Sequence, residues 1–161
     1  MKFFIDTANI NEIKKAHAMG MVDGVTTNPS LLSKEGKHLE EIVPMICEMV
    51  NGPISVEVLS DTYNDMLAEA LKYAKIHKNI TVKLPMTTEG LRTVRTLSDK
   101  GIKTNVTLVF SPTQALLVAR AGATFVSPFV GRLDDISHVG MEIVGQILEI
   151  YRNYDYRTEV L

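Results

Sequence analysis

Along the chain, short runs rich in β-branched residues alternate with longer amphipathic stretches, from one end to the other and without a linker or low-complexity segment between them. The period-two runs predict strands over 2–6 (KFFID), 24–28 (GVTTN), 54–59 (ISVEVL), 80–85 (ITVKLP), 103–109 (KTNVTLV) and 125–130 (FVSPFV), with a seventh at 158–161. Apolar residues at i, i+3 and i+4, as in Met66, Leu67, Ala70, Leu71 and Ala74, predict helices over 9–19, 38–51, 62–78, 88–100, 111–121 and 140–153. Asn9 followed by Glu12 reads as an N-cap with an acidic third residue, and Ser111-Pro112 puts proline in a first helical turn. Gly101 and Gly122 fall where helices should stop. Residues 1–161 therefore read as a single domain built from repeated strand–helix units.

Such alternation implies a parallel sheet with right-handed crossovers, either doubly wound or closed as a TIM-type (β/α)8 barrel. The polar positions favour the barrel. In each strand one parity class is apolar: Val56 and Val58, Val82 and Leu84, Val106 and Leu108, Val126 and Val130. These should face helices. The other class carries Asp6, Thr26 and Asn28, Glu57, Lys83, Asn105 and Thr107, and Ser127, near the C-terminal ends of their strands. A doubly wound sheet would want apolar residues at both parities, whereas a barrel directs one face to a common axis whose C-terminal rim hosts chemistry. Six units and a seventh strand do not make eight, and such barrels usually need about 200 residues or more. The expectation is an incomplete β/α barrel, a truncated version of a longer one, with sheet edges to cover.

Composition narrows the partners. Seventeen Lys and Arg against 19 Asp and Glu give a net charge of −2, without a basic tail for nucleic acid or an anionic membrane. No apolar run approaches the roughly 20 residues that span a bilayer, and Asp6 interrupts the start before a signal-peptide core can form. The single cysteine, Cys47, excludes an intrachain disulfide and fits a cytoplasmic setting. His17, His38, His77 and His138 show no metal-ligand spacing, so no metal site is expected, and no phosphate-binding glycine loop or dinucleotide fingerprint occurs.

Among the polar interior positions, Lys83 stands out because it is flanked by Val82, Leu84 and Pro85. A desolvated lysine favours its neutral amine, the nucleophile of Schiff-base catalysis on carbonyl substrates. The alternative is a strand-end lysine whose stem reaches water. The shared parity of Asp6, Glu57, Asn28 and Asn105 favours the first. Asp6 and Glu57 can divide acid and base work, or serve as counter-ions. Asn28, Asn105, Thr107 and Ser127 suit the hydroxyls of a polyol, or ordinary core hydrogen bonding. Arg132 either holds a phosphate or pairs with Asp134 or Asp135.

The segments Ile5-Asp6-Thr7-Ala8-Asn9, Gly24-Val25-Thr26-Thr27-Asn28-Pro29-Ser30, Val82-Lys83-Leu84-Pro85-Met86-Thr87, Thr104-Asn105-Val106-Thr107-Leu108-Val109-Phe110-Ser111 and Val126-Ser127-Pro128-Phe129-Val130-Gly131-Arg132 resemble the transaldolase family. The similarity runs over the whole chain, to the small single-barrel branch shared with fructose-6-phosphate aldolases. It implies a cofactor-free transfer of dihydroxyacetone from sedoheptulose 7-phosphate or fructose 6-phosphate to glyceraldehyde 3-phosphate or erythrose 4-phosphate, in the pentose phosphate pathway. Lys83 would form the Schiff base and Asp6 would take the C4 hydroxyl proton. Glu57 with Thr107 would position a water. Asn28, Asn105 and Ser127 would hold dihydroxyacetone hydroxyls, with Thr26 and Phe129 also lining the substrate site, and Arg132 would bind phosphate. The aldolase branch typically has Gln where Glu57 stands and Tyr where Phe129 stands, so both positions point to transaldolase. The resemblance also implies, beyond residue 161, a strand with a Ser and an Arg for the phosphate, an eighth unit and a helix that assembles homo-oligomers. Two alternatives accompany transaldolase: fructose-6-phosphate aldolase, or an inactive fragment dependent on a partner chain.

Overall fold

A computed structural model of the chain describes residues 1–36 and 38–161. Seven strands, β1 (Phe4–Asp6), β2 (Gly24–Thr26), β3 (Ile54–Glu57), β4 (Ile80–Pro85), β5 (Thr104–Val109), β6 (Phe125–Pro128) and β7 (Glu159–Val160), lie in sequence order in the sheet. The paired strands β1–β2, β2–β3, β5–β6 and β6–β7 are all parallel. The helices are α1 (Ile10–Ala18), α2 (Pro29–Lys34), α3 (Leu39–Met49), α4 (Tyr63–Ala74), α5 (Thr88–Asp99), α6 (Pro112–Ala121), α7 (Val130–Asp134) and α8 (Gly140–Asn153). No described helix is long and apolar enough to cross a membrane.

The chain forms two compact units, Met1–Ser60 with Ala68–Val82, and Asp61–Leu67 with Lys83–Leu161. The core of the first consists of Ile13, Val25, Ile42, Val43, Ile46, Ile54 and Val56, all buried, where the inner stripes of α1 and α3 meet one face of β2 and β3. In the second, Leu84, Val94, Leu97, Val106, Val118, Val126, Ile143 and Ile147 are buried between strands and helices. Burial of this extent is the main favourable term for either unit.

The predicted helix boundaries recur with their caps. The Asn9 side chain accepts from the backbone N–H groups of Asn11 and Glu12, and the Ser111 hydroxyl accepts from that of Gln114 ahead of Pro112. Gly122 ends α6 at φ +90°, and Gly101 follows α5 at φ +71°. Two short helices, α2 and α7, are additional to the sequence expectation. Three strands stop earlier than expected, because Asn28, the residues after Glu57 and Val130 leave the extended ladder.

Two apolar-parity assignments are corrected. Val130 lies in α7, where the chain turns after Pro128, so it is not part of the strand expected over 125–130. Leu108 does not face helices. It sits at φ 61°, exposed, inside a register shift of β5 against β6 between Val106 and Val109. This bulge inserts one extra residue, which breaks the period of two and swings Leu108 outward.

Candidate active site

Of the sequence-predicted residues, Asp6, Thr26, Glu57 and Ser127 fall at or next to the C-terminal ends of their strands, Lys83, Asn105 and Thr107 lie within β4 and β5, Asn28 and Phe129 are the N-caps of α2 and α7, and Arg132 lies in α7; the local chemistry of each unit fixes several of these side chains. In the first unit, Asp6 ends β1 and accepts a hydrogen bond from the Thr26 hydroxyl at 2.7 Å. The pairing follows from the register, which sets Asp6 opposite Thr26. Thr7, directly after Asp6, donates from its hydroxyl to Glu12 at 2.5 Å and accepts from the Asn9 N–H, while Asn9 Nδ2 donates to the Glu35 carboxylate. Thus Glu12 reaches Thr7, whose hydroxyl in turn accepts from the Asn9 N–H.

Asn28 uses its Oδ1 to cap α2, accepting from the Leu31 N–H at 2.9 Å. That leaves its Nδ2 as the group suited to a ligand hydroxyl. Glu57 is half-buried at the end of β3. The loop after it is held from α4: Glu69 accepts from the backbone N–H groups of Leu59 and Ser60, from the Ser60 hydroxyl at 2.7 Å, and from the Tyr73 hydroxyl at 2.7 Å. Burial alone pushes the Glu69 carboxyl up, but the hydrogen bonds from Tyr73, Ser60 and Leu59 outweigh it and hold the group below its ordinary value. The same carboxylate and burial push the Tyr73 hydroxyl up.

In the second unit, Lys83 is half-buried next to fully buried Leu84. The chain after β4 is tied to β5 through the Met86 N–H, which donates to the Thr107 carbonyl at 2.9 Å. Asn105 and Thr107 are buried on β5, and Asn105 Oδ1 accepts from the Ser127 hydroxyl at 2.8 Å. Buried amides and hydroxyls of this kind hold their geometry because each leaves little freedom to its partner.

Phe129 and Arg132 line one open cleft of about 490 Å³ with Pro128, Val130, Gly131 and Asp135. Phe129 packs edge-on against Phe110, with ring centroids 5.3 Å apart. Arg132 is exposed and donates to Asp135 at 3.3 Å, so of its two candidate acidic partners the pairing is with Asp135. Asp134 instead accepts from the Gly140 N–H at the start of α8. An exposed pair of this kind contributes at most about 1 kcal/mol, and an anionic ligand competes with it readily. Cys47 is a buried core residue of α3, and burial pushes its thiol up to about 11.

Sequence reasoning missed Glu69, Phe110 and α7. The Asn28-Pro29 pair carried the same cap-then-proline signature as Ser111-Pro112 and marks α2 in retrospect. Nothing local marked Glu69, whose partners lie a loop away.

Strands in sequence order, parallel where paired and alternating with helices, define the β/α-barrel class of fold. A solved structure from Coccidioides immitis, provisionally named a fructose-1,6-biphosphate aldolase, shares this fold with a TM-score of 0.61 at 17% identity, over 98% of this chain and 62% of its own. A family model, transaldolase/fructose-6-phosphate aldolase, matches residues 3–161. Proteins named "Probable transaldolase" from Thermodesulfovibrio yellowstonii and Caldicellulosiruptor saccharolyticus are 65% and 60% identical over the whole of this chain, which spans 75% of each. The chain belongs to the transaldolase/fructose-6-phosphate aldolase family. Membership sets it among enzymes of the aldolase type, transferases or lyases.

Proposed function

We propose that the chain is a transaldolase, moving a dihydroxyacetone unit from sedoheptulose 7-phosphate or fructose 6-phosphate to an aldose phosphate through a Schiff base on Lys83. The supporting observation is a lysine half-buried in an apolar strand, in the unit that also buries the polar side chains of Asn105 and Thr107. A lysine in such surroundings has a chemical use for its amine.

In this scheme the Lys83 amine adds to the C2 carbonyl, and loss of water gives the imine. Asp6 takes the C4 hydroxyl proton as the C3–C4 bond breaks, releasing the aldose and leaving an enamine on Lys83. The enamine attacks the acceptor aldehyde, Asp6 returns its proton, and water hydrolyses the new imine. Glu57 with Thr107 positions that water. Thr26, in hydrogen-bond contact with Asp6, orients the base. Asn28, Asn105 and Ser127 hold the dihydroxyacetone hydroxyls, Phe129 walls the site, and Arg132 exchanges Asp135 for phosphate. Glu57 favours transfer over simple cleavage because a carboxylate relays protons to and from water and an amide does not. With this reading go a cytoplasmic location, a place in the pentose phosphate pathway and, for the full-length form, a homo-oligomer.

The test is borohydride trapping with fructose 6-phosphate, read by intact mass and peptide mapping. A reduced adduct on Lys83, absent from Lys83→Met, is expected. A folded parent chain without an adduct overturns the scheme.

A further inference from the structure

Glu69 takes no part in the chemistry above, yet its carboxylate accepts five hydrogen-bond contacts from four donors. Two of those donors are the backbone N–H groups of Leu59 and Ser60, where the chain has left the β3 ladder and has no strand partner to satisfy them. The carboxylate is itself held from behind by the Tyr73 hydroxyl, one helical turn further along α4, and Tyr73 is buried. An ionised acceptor of backbone amides makes short, charge-assisted bonds and fixes the backbone to which they belong. Leu59 lies two residues beyond Glu57, with buried Val58 between them. The backbone that carries Glu57 is therefore anchored on one side by the sheet and on the other by Glu69.

The same device recurs after other strands of the sheet. Glu12 of α1 holds Thr7 after Asp6, and Gln114 of α6 accepts from the Phe110 N–H at 2.7 Å after the end of β5. In each case a helix side chain folds back on the loop that follows a strand bearing candidate chemistry. Glu69 is the case with the most contacts and a backing tyrosine.

We propose that Glu69, backed by Tyr73, is the positioning residue for Glu57: it fixes the loop 58–60 so that the Glu57 carboxylate is held where it serves water during imine formation and hydrolysis. This rests on the role given to Glu57 above. Glu69→Gln keeps the size but sets an amide N–H2 against donors that need an acceptor. Tyr73→Phe removes only the backing hydroxyl.

The test compares parent, Glu69→Gln and Tyr73→Phe by deuterium exchange of the peptide spanning 57–60 and by the rate at which borohydride traps fructose 6-phosphate on Lys83. In Glu69→Gln, loop exchange accelerates and trapping slows by about 10- to 100-fold, as small displacements of catalytic groups do, while the substrate concentration for half-maximal labelling stays within about twofold. Tyr73→Phe falls between parent and Glu69→Gln on both readouts. Faster loop exchange with trapping at the parent rate makes Glu69 a structural clamp only and overturns the inference, leaving the Schiff-base scheme intact. A parent that exchanges slowly in the loop yet forms no adduct overturns the scheme and this role together.

Discussion

On the proposed Schiff-base scheme, Phe129 bears on the fate of the enamine. Its ring sits edge-on to Phe110 and lines the cleft that contains Arg132, with no hydroxyl at that wall. Phe129→Tyr adds a proton donor there, and a donor near the enamine favours its protonation and release over capture by an aldehyde. The ratio of free dihydroxyacetone to transfer product, assayed with and without erythrose 4-phosphate, is expected to rise; equal ratios in parent and variant exclude the effect. Glu69 carries a prediction of its own. Because its folded-state carboxyl is held below the ordinary value of 4.5, its stabilising contribution is complete above that value and is lost as the pH falls through the lower folded-state range. As the pH falls below the ordinary carboxyl value, the denaturation midpoint of the parent should fall more steeply than that of Glu69→Gln. Parallel pH profiles contradict this.

At the scale of elements, helix ends separate what glycine does by need from what it does by accident. Gly122 closes α6 at φ +90°, and an added Cβ there meets the Ser98 side chain. Gly145 is exposed within α8, with open space around an added Cβ. Gly122→Ala is expected to destabilise by about 1–2 kcal/mol, and Gly145→Ala to stabilise by about 0.5–1 kcal/mol; chemical denaturation distinguishes the two signs. The helix stops at Gly101 and Gly122 were legible beforehand because a glycine after a periodic run has one common use. So were α6 with its Ser111-Pro112 start and the buried stripe Val82, Leu84 and Val106. Leu108 was not, since a period of two has no means of announcing an extra residue. Val130 looked like strand because it is β-branched, but Pro128 ends the ladder. Of the candidate site, residue types at strand ends could be read directly. The capping of α2 by Asn28 and the choice of Asp135 over Asp134 by Arg132 depend on loop geometry that no spacing encodes.

At the scale of the molecule, 161 residues cover 75% of relatives that are 60–65% identical, and a compact core lies in each of two units. The chain does not pass from one unit to the other once. It leaves the first after Ser60, returns at Ala68, and leaves again after Val82, so that α4 and β4 are each shared. The segment Asp61–Leu67 belongs to the second unit through specific contacts. The Tyr63 hydroxyl lies 3.0 Å from that of Thr96, the Arg92 guanidinium stacks 4.0 Å over the Tyr63 ring, and Thr93 donates to the Met66 sulfur. A cut at Val82–Lys83 therefore separates Tyr63 from Arg92 and Thr96, and Met66 from Thr93. The two units are thus interleaved along the polypeptide, and Lys83 is the first residue after the last crossing.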